Sequence, residues 1–119
     1  MIAITVTLAD GIVAALDSRG HARKRGNASI PCAAVSALLR AFVAAVGDSP
    51  EVSGEGNAPS EGALTLRIRH ASDPRWLRGA SDTLLNGLRQ VEADFPRDVE
   101  LRVSSEAADS DENARKFSE

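Results

Sequence analysis

The stretch IPCAAVSALLRAFVAAV, residues Ile30 to Val46, decides how the rest of the chain is read. It is apolar almost all round, with Arg40 as its only charge. A run of this length rich in Ala and Leu is too long for a typical strand and reads as a buried helix. Ser29 stands where an N-cap belongs. Pro31 falls in the first turn, where a missing N–H costs little, and Gly47 closes the run.

Working towards the N-terminus, IAITVTL (residues 2–8) alternates, with Ile2, Ile4, Val6 and Leu8 on one face of a half-buried strand. Ala9-Asp10-Gly11 is a tight-turn signal, and IVAALDS continues as a second strand to about Ser18. Working towards the C-terminus, EVSGEGNAPSEGALTLRIRH (residues 51–70) reads as a short strand, a mobile Gly-rich loop and a clear strand. That last strand has Leu64, Leu66 and Ile68 on one face, and His70 near its end. DPRWLRGASDTLLNGLRQVEADFP (residues 73–96) is a second helix. Its buried stripe is Leu77, Ala80, Leu84, Leu88, Val91 and Phe95, with Trp76 anchoring its start and Pro96 stopping it. DVELRV supplies a last strand with Val99, Leu101 and Val103 inward.

The order β-β-α-β-β-α-β predicts an α+β domain over residues 1–103. Two helices pack on one face of a mixed, mostly antiparallel sheet. The opposite sheet face, carrying Thr5, Thr7, Thr65, Arg67, Glu100 and Arg102, is expected to be wet. Residues 104–119, SSEAADSDENARKFSE, lack an apolar period and read as a disordered acidic tail.

At 119 residues the chain has room for one domain with a real core. With three Phe, one Trp and no Tyr, aliphatic side chains must fill it. No apolar run reaches the ~20 residues that span a bilayer, and the N-terminus lacks the basic region of a signal peptide. A single cysteine cannot form an intramolecular disulfide. These features predict a cytoplasmic protein with no membrane partner. The net charge of −3 argues against general nucleic-acid binding. Two basic clusters, His21 to Arg25 and Arg67 to Arg78, run against that average.

The chemistry-bearing residues sit just ahead of and inside the first helix. His21 and Cys32 are separated by ten residues, ample to return the chain from a strand end to the helix start. A cysteine nucleophile needs a stabilised thiolate, a base in reach and donors for the oxyanion. Cys32 in the opening turn has the helix N-terminus to favour its thiolate. The backbone N–H groups of Cys32 and Ala33 are candidates for the oxyanion, and Ser36 lies one turn on, on the same face. The competing reading is a small core thiol beside a surface histidine, and spacing alone leaves both open. A zinc site lacks paired-ligand spacing, so neither metal nor cofactor is expected.

The pattern Gly20-His21-Ala22, Gly26, Ile30, Cys32-Ala33-Ala34-Val35-Ser36 resembles the signature of the ribosomal-processing cysteine protease family, Prp. The resemblance implies a small homodimeric cysteine endopeptidase with Cys32 as nucleophile, His21 as base and Ser36 supporting the site. It implies a substrate too: a large-subunit ribosomal protein precursor that loses a short N-terminal extension. The cut follows a hydrophobic, Phe-containing stretch and precedes a small residue. The loop Ala22, Arg23, Lys24, Arg25, Gly26, Asn27, Ala28 and Ser29 would order over that substrate. Two departures stand out. The loop is basic and one residue shorter than the family's, and Ser29 and Pro31 replace an Asp and a Val before the cysteine. The alternative on the same fold is a non-catalytic, ribosome-associated binding module docking through Arg67, Arg69, Arg75 and Arg78.

Overall fold

The structure, a computed structural model, describes residues 1–22, 29–58 and 62–106. Strands β1 (Ile2–Ala9) and β2 (Ile12–Arg19) form the predicted hairpin. Its turn residues Asp10 and Gly11 have φ of 54° and 79°, the left-handed pair that matches the strands' twist. Thr7 pairs with Ala15 and Leu8 with Val13, so Ala14 is an extra, bulged residue. The bulge resets the alternation, and Val13 and Leu16 are therefore both buried although three positions apart.

Helix α1 (Ile30–Gly47) follows, then β3 (Val52–Asn57), β4 (Ala63–Ala71), α2 (Pro74–Asp94) and β5 (Val99–Ser105). The sheet order is β3-β4-β2-β1-β5, antiparallel throughout except for the parallel pair β1–β5. The predicted element order and the α+β architecture are as observed. β3 continues through Gly54 and Gly56, where the sequence reads as loop, with a register shift between Ser53 and Gly54, because its backbone is held in the ladder by β4.

Both helices cover the face that carries Ile2, Ile4, Val6, Leu16 and Leu66. α1 buries Pro31, Val35, Leu39, Phe42 and Val46, one helical stripe. α2 buries Leu77, Ser81, Leu84, Leu85, Leu88 and Val91. The predicted α2 stripe needs correction at its edges: Ala80 and Phe95 are only partly buried, while Ser81 and Leu85 sit in the centre. Ser81 is fully buried because its hydroxyl accepts the Val13 N–H at 3.0 Å. That N–H lies beside the bulge and is satisfied by the side chain.

α1 is less buried than its apolar run predicts. Its 18 residues have a mean hydropathy of 1.9, long and apolar enough by length and composition to cross a membrane. Only 28% of that stretch is buried in the fold. Exposed Ala33, Ala37, Ala41 and Ala44 form its outer face.

β5 is an edge strand, and its inward alternation fades: Val99 is buried, Leu101 partly, and Val103 is 37% exposed. The strand takes in Ser104 and Ser105, which the sequence assigns to the tail, and residues 107–119 lie outside the described residues. None of Thr5, Thr7, Thr65, Arg67, Glu100 and Arg102 on the far sheet face is buried.

Candidate active site

Two backbone segments build the site. The first leaves β2 at Arg19. In the β2–β4 ladder Arg19 pairs with Ala63, so the residues just past each, Gly20 and Gly62, face one another. The Gly20 N–H donates to the Gly62 carbonyl at 2.9 Å. The His21 carbonyl accepts from the Met1 amine at 2.7 Å. Ala22 is then buried in the core, which turns the chain inward directly after His21.

The second segment is the start of α1. Ser29 adopts extended backbone, φ −131°, and its hydroxyl accepts the Cys32 N–H at 3.3 Å. The Ser29 carbonyl accepts the Ala33 N–H at 3.1 Å. Ser29 is thus the N-cap that the sequence predicts. The same two bonds correct the expectation that the Cys32 and Ala33 amides are free for an oxyanion: Ser29 occupies both.

The segments meet at sulfur. The Ala22 N–H donates to Cys32 Sγ at 3.2 Å, so the residue next to the histidine is bonded to the thiol. His21, Cys32 and Ser36 line one open cleft of about 410 Å³. Its walls are Ile2, Val35, Leu39 and Leu64, with Arg40 two turns along α1 from the cysteine. Cys32 is partly exposed, accessible to a substrate and backed by the core. Of the loop between His21 and Cys32, Arg23 to Ala28 lie outside the described residues.

A larger concavity, about 640 Å³, lies on the far sheet face among Thr5, Thr7, Asp17, Glu55, Asn57 and Arg67. It contains neither the cysteine nor a histidine, so the smaller cleft is where covalent chemistry has its groups. The arginines of the alternative docking surface are largely engaged. Arg69 pairs with Glu55, and Arg78 donates to the Asp10 carbonyl at 2.7 Å. Arg75 pairs with Asp73 at 3.2 Å. The side-chain hydrogen bond from Arg75, reinforced by its backbone N–H, holds the Asp73 carboxyl below the usual carboxylate range.

Sequence reasoning missed the Ala22 amide and the Gly62 contact described below. Both depend on which strands are neighbours. The one available signal for Gly62 was its place just before a clear strand.

A thiol at a helix's first turn and an imidazole lining the same apolar-floored cleft are the groups that cysteine-dependent hydrolysis uses. The chain belongs to the cysteine protease Prp family, whose model matches residues 1–100. Three solved structures share the fold. One is an essential ribosomal processing protease Prp from S. aureus with a covalently linked product peptide. It is 24% identical, with a TM-score of 0.75, over 87% of this chain and 99% of that one. The same S. aureus protease with a substrate peptide is 23% identical, with a TM-score of 0.69, over 87% and 99%. A Streptococcus mutans protein is 24% identical, with a TM-score of 0.70, over 89% and 99%. The curated proteins contain no match.

Proposed function

We propose that this cysteine protease is an endopeptidase that removes the N-terminal extension of a large-subunit ribosomal protein precursor, with Cys32 as nucleophile and His21 as base. The observation that carries the reading is the shared cleft, in which the Ala22 amide ties the histidine's segment to the cysteine sulfur.

His21 takes the Cys32 proton, and the sulfur attacks the scissile carbonyl carbon. The tetrahedral intermediate collapses and expels the amine, which leaves with the proton from the imidazolium. Water, deprotonated by His21, then cleaves the thioester and frees Cys32. The Cys32 N–H reaches the oxyanion when the Ser29 hydroxyl turns away. Ile2, Val35, Leu39 and Leu64 suit the hydrophobic residues ahead of the cut, and Ser36 lies on the same wall. The enzyme works in the cytoplasm as a homodimer, a reading supported by the unburied alanine face of α1.

The test is cleavage of a synthetic peptide carrying a hydrophobic, Phe-containing extension, followed by mass spectrometry. Wild type trims it, whereas Cys32→Ala and His21→Ala do not. Trimming by Cys32→Ala ends the proposal.

A further inference from the structure

We propose that Gly62 is a positioning residue for His21, holding the imidazole at its working place by having no side chain. The inference rests on the reading of His21 as the base. It adds a residue from a different part of the chain.

A Cβ built on Gly62 would stand 2.5 Å from both Cε1 and Nε2 of His21. Real Cβ atoms do not come so close, so the ring's edge lies directly on the Gly62 backbone. A methyl there must push the imidazole aside, and the way back is blocked by structure that does not yield easily. The His21 carbonyl is held by the Met1 amine, Ala22 is fixed in the core and on Cys32 Sγ, and Gly20 is bonded to Gly62 itself. The ring is the part free to move, and it moves relative to the sulfur. Gly62 also has φ +78°, the left-handed region in which glycine is at ease. A displacement of about an ångström in a proton-transferring group costs roughly a hundredfold in rate.

The control for backbone strain is in the same molecule. Gly11 has φ +79° at the β1–β2 turn, away from the cleft, and a Cβ there would meet only the flexible end of Arg78. Gly11→Ala therefore carries the same conformational penalty without touching His21.

The experiment measures kcat and KM on the peptide above for Gly62→Ala and Gly11→Ala. The imidazole NMR signals are recorded in each, with His70, the only other histidine, as internal reference. Gly62→Ala is expected to lose at least about tenfold in kcat with KM little changed, and to shift the His21 signals. Gly11→Ala keeps kcat and those signals. Wild-type kcat and unshifted His21 signals in folded Gly62→Ala overturn the inference, as does an equal loss in Gly11→Ala. Should Gly62→Ala not fold, the wild-type protein still decides. A strong through-space contact between Gly62 Hα and His21 Hε1 is expected, and its absence overturns the placement. Cleavage surviving in Cys32→Ala would sink the catalytic reading instead, leaving that contact unchanged.

Discussion

The amide of Ala22 and the sulfur of Cys32, ten residues apart in the chain, are joined by a 3.2 Å hydrogen bond. The bond sets the thiol against the segment that carries His21, and that arrangement can be probed without any substrate. In the folded protein Cys32 is expected to react with iodoacetamide at neutral pH. Replacing His21 by Ala should slow that reaction by about tenfold or more. Rates followed by intact mass settle it. Equal rates in the two proteins would mean that the imidazole does not assist the sulfur.

Ser29→Ala removes the cap of α1 and should cost about 1 kcal/mol in urea unfolding, while Ser29→Asp restores most of it. The variant also releases the Cys32 N–H. If that amide receives the oxyanion, kcat of the folded Ser29→Ala fraction holds or rises. A large fall in kcat would instead assign the hydroxyl a part in the chemistry.

Ser81→Ala leaves the Val13 N–H buried beside the bulge without its acceptor. The expected loss is about 1–3 kcal/mol, large for the removal of one oxygen. Denaturant midpoints measure it. A loss of only a few tenths would show that water or a shifted backbone replaces the hydroxyl.

The Asp73–Arg75 pair gives a pH prediction. The Asp73 carboxyl is held below its ordinary value in the folded protein, first by the Arg75 side chain. Its contribution to stability is therefore present above the unfolded carboxylate value, about pH 4, and is lost as pH falls through the folded one. The pair is solvent-exposed, so the effect is small. Asp73 is the N-cap of α2, its carboxylate accepting the Arg75 N–H, so Asp73→Asn keeps a capping side chain but does not titrate. Between about pH 6 and pH 3 its midpoint should fall less than that of wild type.

The elements of the fold were legible where the signal is local. The capped apolar run of α1, the Asp10-Gly11 turn and the spacing of Leu77, Leu84 and Leu88 each declare themselves within a few residues. The Ala14 bulge did not, since its effect is a register shift against β1. Nor did the burial of Ser81, a polar residue whose place depends on a strand 68 positions earlier. The same division runs through the site. His21, Cys32 and Ser36 were marked by residue type and local pattern. The Gly62 contact was invisible because only the Arg19–Ala63 register brings it to the histidine. The engaged Cys32 and Ala33 amides follow from the cap, whose identity is local but whose competition with an oxyanion depends on the geometry of the helix start.

The parallel pairing of β1 with β5 sets the order in which the molecule can be completed. Ile2 sits opposite Val99 and donates to the Asp98 carbonyl at 2.8 Å, and Ile2 also lines the cleft. During synthesis β1 emerges well before β5 and has one flank bare until that strand follows. The histidine's anchor at Met1 gains its final support only then. A ribosome-bound nascent chain truncated before Val99 should therefore be incompletely folded, with the cleft wall at Ile2 left unsupported along that flank.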